Sequence, residues 1–572
     1  MKNRELAEIF EKIGDILEFK GDSSFRVNAY RKAARVLQDL TEDIEVIHRK
    51  GGLRSIPGVG EGIAKKIAEY LDTGRMTKYE EVREGVPDEL IKMLGIPGMG
   101  PKTVALVYKK LGIGDIRSLQ EAVKEGRLRD LPGLGAKKEE NILRGIKLLQ
   151  EASKRISLGV ALPLVDRIVD DLKARAKVRE VYPAGSLRRM KETVGDIDVL
   201  ATGTEGGRII EVFTSGPGVK DVLASGETKG SIIAEGGIQV DLRVVPQDSY
   251  GSALQYFTGS KAHNIHLREI AKSRGLKISE YGIFRGEERL GGEKEEDIYS
   301  TLGLSLIPPE LREDRGEIEA AQEGRIPKLV EDGQIKGDLH VHSKWSDGTA
   351  TIEELALKAK GMGYEYIAIC DHSQSLKFAG GVSVEDMYKK MEEIERLNRK
   401  LEGIRILSGT EVDIKTDGTL DYPEELLEKL DLVVAAVHTG FKQPGEVVTK
   451  RIVSALENPN VDIIAHPTGR LISSREGYNV DLGEVLSTAA ETQTALEINA
   501  YYDRLDLNDT GCKRAKELGV ELCIGTDAHH IDQLWMMRLG VAVARRGWLG
   551  PDQLLNTWPL ERLLAWLRTR SG

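Results

Sequence analysis

From Lys336 onward, seven short apolar runs alternate with amphipathic stretches: "GDLHVHS", "YIAIC", "IRILSGTEVD", "LVVAAVH", "VDIIAHP", "ALEIN" and "ELCIGTD". Apolar strands alternating with helices predict a parallel sheet buried on both faces. Polar residues gather at the C-terminal ends of these runs, where the sites of closed parallel barrels form. The rhythm therefore predicts a barrel with its chemistry at one mouth.

The polar residues at that mouth are of a particular kind. "DLHVHSKWSDG" sets His340 and His342 on one strand face, with Asp347 five residues further on. "CDHS" adds His372, "GTEVD" Glu411, "AAVHT" His438, "AHPTGR" His466, and "GTDAHH" Asp527 and His529. Seven of the ten histidines follow residue 339. A single histidine after a strand is usually a hydrogen-bonded structural residue, but six in ordered HxH and DxH settings read as metal ligands. Neutral imidazoles with carboxylates suit Mn²⁺ or Zn²⁺, and nine donors imply two or three ions. Asp371 and His530 read as supporting or surface residues, and Arg470 in "HPTGR" as a group that orients phosphate. Trp558 and Trp566, at helical spacing in "LLNTWPLERLLAWLRTR", predict a helix covering the barrel.

The front of the chain carries a different signature. "IPGVGEGIAKKI" begins at Ile56, "IPGMGPKTVALV" at Ile96 and "LPGLGAKKEENIL" at Leu131. Each reads apolar-Pro-Gly-apolar-Gly and then opens a helix. Proline and the first glycine end one helix, and the second glycine permits a tight hairpin. Backbone N–H groups at the new helix start can then hold a phosphate without reading a base. Three copies predict helix–hairpin–helix DNA binding through Gly58, Gly60, Gly98, Gly100, Gly133 and Gly135. The net charge of −10 opposes a nucleic-acid partner overall, but residues 1–150 hold 28 Lys and Arg against 24 Asp and Glu, an excess of four.

The length of 572 residues suggests three or four domains at roughly 150 residues each. No run of eighteen apolar residues is present, so no membrane helix is expected. The charged N-terminal stretch reads as an amphipathic helix, not a signal peptide. Cys370, Cys512 and Cys523 fit no disulfide or metal spacing and suit a reducing cytoplasm.

Between the two ends lies "GSLRRMKETVGDIDVL", residues 185–200. Asp196 and Asp198 are two apart and on a strand share a face. Asp241, mid-strand in "IQVDLRVV", could complete a triad from a neighbouring strand. Like charges at roughly 4 Å repel by about 4 kcal/mol at an effective dielectric of 20, so three carboxylates need cations, and two divalent ions fit. Gly185 and Ser186 offer a turn with N–H and hydroxyl donors, and Arg189 a fork for phosphate oxygens. Arg188, its neighbour, cannot face the same pocket on an extended segment.

This stretch resembles the palm signature of family X DNA polymerases, as does "YFTGSKAHNIHLREI" at 256–270. The histidine-rich part resembles the PHP (polymerase and histidinol phosphatase) domain, a fusion of the bacterial and archaeal type. The resemblance implies that Asp196, Asp198 and Asp241 bind two catalytic Mg²⁺ or Mn²⁺ ions. It implies that Ser186, Arg189 and Gly195, with Gly185, hold a deoxynucleoside triphosphate, assisted by Arg155. Tyr256, Phe257 and Gly259 would line the sugar pocket, Asn264 would meet the base edge and Arg268 the template. "FRVNAYRKAARVL" and "GEGIAKKIAEYL" resemble the family's small lyase domain. There Lys66 is the Schiff-base position, with Tyr30 and Lys32 as 5′-phosphate contacts and Lys65 and Arg26 as cations able to lower its pKa. A second family lysine, one turn earlier, is Gly62 here, which weighs against lyase activity.

The implied fold is multidomain, α+β and α/β. It comprises a helical DNA-binding domain (1–85), fingers with helix–hairpin–helix motifs (86–155), a nucleotidyltransferase palm (156–255), a thumb for nucleotide selection (256–315), a polar linker (316–335) and a distorted (β/α)7 PHP barrel (336–572). The expected function is DNA-directed synthesis across short repair gaps, coupled to a 3′–5′ exonuclease or 3′-phosphoesterase, with lyase or abasic-site endonuclease activity as an addition. The expected partners are gapped or primer-template DNA and deoxynucleoside triphosphates, with no membrane, for a cytoplasmic monomer. The alternative is a histidinol-phosphate-like phosphatase with an accessory DNA-binding front.

Overall fold

A computed structural model describes residues 2–38, 44–56, 59–94, 96, 99–135, 138–140, 142–143, 146, 155–472, 475 and 477–570. The chain forms two compact units. The first is Met1–Arg155 with the short segments Gly218–Asp221 and Ile232–Gln239, and the second holds the remainder.

The first unit is helical around one apolar core that includes Phe10, Ile13, Leu37, Ile67, Leu90 and Val104. The three repeats adopt one geometry. The residue between the glycines donates to the carbonyl three positions back: Val59 to Ile56 at 3.0 Å, Met99 to Ile96 at 2.9 Å, Leu134 to Leu131 at 3.0 Å. The second glycine's carbonyl then takes the N–H groups three and four positions further on. Ile63 and Ala64 donate to Gly60, Thr103 and Val104 to Gly100, Lys138 and Glu139 to Gly135, all between 2.8 and 3.1 Å. Gly60 and Gly100 cap the helices Glu61–Thr73 and Pro101–Leu111 without a side-chain bond. A Cβ at Gly60, Gly100, Gly133 or Gly135 would meet no atom within 4 Å, so these turns face open space. Gly58 and Gly98 lie outside the described residues.

After residue 155 the chain forms β1 (Ile156–Ser157) and the helix Leu158–Arg175, followed by β2 (Val178–Pro183), β3 (Thr193–Val194), β4 (Ile197–Gly203), β5 (Val219–Ser225), β6 (Lys229–Ala234) and β7 (Gln239–Val244), of which 219–221, 232–234 and Gln239 fall in the first unit. The five-stranded sheet, in the position expected for the palm, runs in the order β2-β4-β7-β6-β5. β2 is antiparallel to β4, and β7 is parallel to it. A small antiparallel sheet follows, of β8 (Lys277–Ser279), β9 (Gly282–Arg285) and β10 (Glu288–Gly291). The stretch 316–335, expected as a polar linker, is packed instead. Its helix Glu317–Gln322 places Ile318 and Ala321, and with them Leu329, in the apolar cluster of Leu267, Ile283 and Tyr299. The surface charges of this stretch hide that amphipathic pattern.

The barrel strands are β11 (Gly337–Val341), β12 (Tyr366–Ile369), β13 (Arg405–Asp413), β14 (Leu432–Ala436), β15 (Ile463–Ile464), β16 (Ala495–Asn499) and β17 (Leu522–Gly525), paired in chain order. All neighbours are parallel. Asp527 N donates to His340 O and His342 N to Ala528 O, both at 2.9 Å, which brings the ends of the sheet together. Alternate residues fill the interior, among them Tyr366, Ala368, Cys370, Val434, Ala436 and Cys523. Trp558, Leu563 and Leu567 pack on them. The helix Leu560–Arg570 thus covers the barrel as the tryptophan spacing predicts.

Candidate active sites

The same two-residue period that fills the barrel carries polar side chains to its mouth. Continued beyond Cys370, Leu407, Ala436, Ala495 and Cys523, it reaches His372, Glu411, His438, Glu497 and Asp527. His340 and His342 are out of phase with Leu339. The β11–β12 register shifts between Asp338 and Val341, beside this pair. His466, just past β15, has φ 29°.

All nine expected ligands converge. His342, Asp347, His372 and His529 form one group, His340, His342 and Asp527 a second, and His372, Glu411 and His438 a third, with ligand atoms within 4.8 Å of one another in each. His466 Nε2 reaches Glu411 Oε1 at 3.0 Å. The donor set fits bound cations. Nε2 of His340 and Nε2 of His342 face each other at 3.2 Å. Nδ1 of His342 and of His466 are buried with no hydrogen-bond partner, and His372 Nδ1 and Glu411 Oε2 sit 2.8 Å apart without hydrogen-bond geometry. Such orphaned lone pairs are costly unless a cation takes them.

The charge pattern is already partly balanced. Burial opposes ionisation of Glu411, but His438, His372 and His340 outweigh it and hold the carboxyl well below its usual range. Burial would lower His438 too, yet Glu411 and Asp413 push it up to about 9. Burial likewise opposes the charge on His529, and Asp347 and Asp527 overcome it to raise that group to about 9. His342 goes the other way, to about 3, through burial and its neighbours His372 and His529.

Sequence reasoning missed the residues behind the ligands. Glu497 accepts from His340 Nδ1 at 2.7 Å and from His466 N at 2.8 Å, turning the His340 Nε2 inward. Asp413 sits 3.3 Å from His438 Nδ1. Both continue visible strand alternations, in "ALEIN" and "GTEVD", and that is the signal the sequence offers for them. Asp371 is a supporting residue, as expected: it accepts from Ser343 N and Oγ and pairs with the buried Lys390 at 2.7 Å. Arg470 does not face the histidines as a phosphate-orienting group. Its guanidinium binds Glu192 of the palm and the carbonyls of Arg504 and Leu505. Arg504 is the arginine beside the cluster, with Nε 3.4 Å from Asp527 Oδ2.

The palm site is more open. Asp198 and Asp241 stand opposite each other in the β4–β7 register. Asp196 lies just before β4, not within it, and is exposed. Asp198 is pushed up to about 6 by burial first and then by Asp196 and Asp241. Asp241 accepts from Ser231 Oγ at 2.5 Å and lies 3.7 Å from Lys229 Nζ. Ala184 N donates to Asp198 O at 2.8 Å, which folds the Gly185–Arg188 turn over the carboxylates. Gly185 has φ 61°, and a Cβ there would meet Asp198 Oδ2 at 2.9 Å. Only glycine suits both demands. This cradle of carboxylates under a glycine turn fits divalent cations.

Around it, Arg188 makes a two-pronged bond to Glu295 at 2.8 Å and faces away from the carboxylates, although the segment is the helical turn Gly185–Arg188 and not the extended one expected. Arg189 gives Nε to Glu313 at 3.0 Å and Nη1 to Thr258 O at 2.5 Å. Gly259 lies against that guanidinium, its ideal Cβ position 3.2 Å from Nη1. Ser186 is half-buried in the turn, Gly195 is exposed beside Asp196, and Arg155 is exposed ahead of β1. Tyr256 and Phe257 meet edge to face at 5.2 Å. The Asn264 amide accepts from Gln255 and donates to Tyr256 O, both at 2.7 Å, and Arg268 Nε donates to Asn264 O at 3.0 Å.

In the first unit, Lys66 Nζ donates to Gly62 O at 2.9 Å and lies 5.9 Å from the buried Tyr30 ring. Its pKa is lowered by burial and then by Lys78. Lys78, not Lys65, is thus the cation that matters: Lys65 is exposed and pairs with Glu61, and Arg26 acts only weakly. Lys32 is exposed.

Family models match in four places: a DNA polymerase beta thumb at residues 253–313, a helix–hairpin–helix domain at 1–76, a SAM-like helix–hairpin–helix tandem at 89–147 and a PHP domain at 338–500. Fold and sites together define a DNA polymerase joined to a PHP barrel. The chain is 41% identical over 572 residues to the DNA polymerase/3′–5′ exonuclease PolX of Bacillus subtilis (strain 168), covering 99% of this chain and all of that one. It is 26% identical over 341 residues to rat DNA polymerase lambda, covering 54% of this chain and 56% of the relative. A "probable phosphatase" of Thermoanaerobacter sp. (strain X514) matches at 33% over 232 residues, covering 38% of this chain and 89% of that one. The chain belongs to the family X DNA polymerases of the PolX type, with a PHP domain.

Proposed function

We propose that the chain fills short gaps in DNA and trims or cleans the 3′ ends it extends. The observation that carries the reading is the in-register pair Asp198 and Asp241 beneath the Gly185 turn, with Arg189 beside it. Asp196, Asp198 and Asp241 would hold two divalent ions, Mg²⁺ or Mn²⁺. Such ions, when bound, acidify an attacking hydroxyl and neutralise charge on a triphosphate and its leaving group. Ser231 fixes Asp241, and the Gly185 turn closes over the Asp198 carboxylate. Gly185, Ser186, Arg189 and Gly195, with Arg155, would bind the triphosphate, and Tyr256, Phe257 and Gly259 the sugar. Asn264 and Arg268 would meet base and template after giving up the internal bonds described above. The hairpin glycines would hold DNA phosphates on either side of the gap.

In the barrel, the nine ligands would hold two or three ions of Mn²⁺ or Zn²⁺. Glu497 and Asp413 orient His340 and His438 toward that centre, and Arg504 stands where it can neutralise a phosphate. The substrate would be the phosphodiester or phosphate at a DNA 3′ end. Lys66, partly desolvated beside Lys78 and Tyr30, supports a lyase step on a 5′-sugar phosphate, with Lys32 as a phosphate contact. We place the protein in the cytoplasm, which the three buried free thiols favour, and read it as a monomer. No helix among the described residues is long and apolar enough to cross a membrane.

The test is a gapped-duplex assay with Asp198→Ala and His342→Ala. Asp198→Ala should abolish extension and spare 3′ shortening, and His342→Ala should do the reverse. Loss of both activities in each variant would remove the two-site reading. The phosphatase likeness over the barrel favours a second reading, removal of a 3′-terminal phosphate. A gapped duplex ending in 3′-phosphate, compared with one ending in a mismatched 3′-OH, separates the two.

A further inference from the structure

We infer that Arg546, a barrel residue, is a positioning residue for the polymerase site: it fixes Arg189 for the triphosphate. Arg546 ends the helix Met537–Arg546, and its side chain is only 1% exposed. Its Nη1 donates to the Arg189 carbonyl at 2.6 Å and to Glu313 Oε1 at 3.1 Å, and its Nη2 donates to Asp509 Oδ2 at 2.6 Å. Glu313 Oε1 in turn takes Arg189 Nε at 3.0 Å. One guanidinium therefore grips both the backbone of Arg189 and the carboxylate that aims its side chain. Asp509, which also takes Arg315 at 3.2 Å, anchors the other side of that guanidinium in the barrel.

The pieces fit a positioning role better than general packing. Burying two carboxylates and an arginine is costly, and a well-packed apolar junction would serve stability equally well. What the charges add is direction. Arg189 spends Nε and Nη1 on Glu313 and Thr258 O, which fixes the plane of its guanidinium before any ligand arrives. Arg546 holds the backbone from which that side chain springs.

The inference rests on the reading above that Arg189 binds the triphosphate, and the experiment separates the two. Single-nucleotide gap filling is measured on the full chain for Arg189→Lys, Arg546→Lys and Asp509→Asn, with Mn²⁺-dependent 3′ shortening as the control for folding. Lysine keeps the charge but cannot grip two acceptors in a plane. Arg546→Lys and Asp509→Asn should each raise the KM for nucleotide about tenfold, the worth of one hydrogen bond to a charged group, with kcat within about threefold and shortening unchanged. Arg189→Lys should raise KM further. Unchanged KM in both junction variants with raised KM in Arg189→Lys overturns the inference alone. Unchanged KM in Arg189→Lys overturns the underlying reading. If the junction variants lose shortening as well, hydrogen exchange on the wild type decides. Saturating nucleotide with gapped DNA should slow exchange at the C-terminal end of Met537–Arg546, and no change there overturns the inference.

Discussion

The two metal-type sites of the second unit differ in how finished they are. In the barrel, imidazoles and carboxylates already lie within 4.8 Å of one another in three groups. Opposite charges neutralise much of the cluster, and a second layer of acids holds the histidines in orientation. In the palm, burial and the like charges of Asp196 and Asp241 raise Asp198 in spite of the nearby Arg243 and Lys229, and Asp196 lies outside the strand that carries Asp198. One cluster is thus largely balanced by its own imidazoles, whereas the other would need cations from outside.

The largest expected contrast is in metal withdrawal. An ion present at 1,000 times its dissociation constant stabilises by about 4 kcal/mol. Removing metal with a chelator should lower hydrogen-exchange protection of the barrel strand ends by up to that amount and leave β4 and β7 nearly unchanged. Equal loss in palm and barrel would break the comparison. Next is Glu497→Gln, which removes the charged acceptor of His340. Losses at such supporting positions run to about 10–100-fold in metal affinity or activity, so 3′ shortening should fall in that range while gap filling stays at the wild-type rate. A matching fall in gap filling would mean that the two sites are not independent.

What is legible in the sequence depends on sequence distance. The hairpins, the Asp196/Asp198 pair and the nine histidines and carboxylates of the barrel mouth are written in local spacing, because strand and turn geometry act over a few residues. Glu497 stands in plain view within its strand, yet nothing local assigns it a role, since its partner His340 lies 157 residues away. Lys65 is the obvious neighbour of Lys66, but adjacency in sequence on a helix does not give a shared face, and Lys78 takes the part instead. Arg470 has the look of a phosphate ligand after His466, but its partner Glu192 lies 278 residues off. The packed helix at 317–322 reads as a linker because only Ile318, Ala320 and Ala321 betray its apolar side.

The smallest effects are in the acid response, where palm and junction should have opposite signs. In metal-free protein Asp198 has a folded pKa of about 6, above the ordinary 3.8. The folded state therefore binds the extra proton, and stability from this group grows as pH falls from 7 to 5, by about 1 kcal/mol. Asp198→Asn should flatten that rise, and saturating Mg²⁺ should suppress it by favouring the ionised form. Glu313 is the reverse. Burial opposes its charge, but Arg189 and Arg546 hold its pKa at about 2, below the ordinary 4.5. Its contribution is intact above the unfolded value and is lost as pH falls toward the folded one, so between pH 6 and 4 roughly 1 kcal/mol should disappear. Glu313→Gln should remove that slope while leaving the Asp198 rise in place. Thermal midpoints at pH 7, 6, 5 and 4 for the three proteins decide it. If both variants shift the curve in the same sense, the palm is not short of positive charge as argued, and the contrast between a site that needs cations from outside and a largely balanced one loses its electrostatic basis.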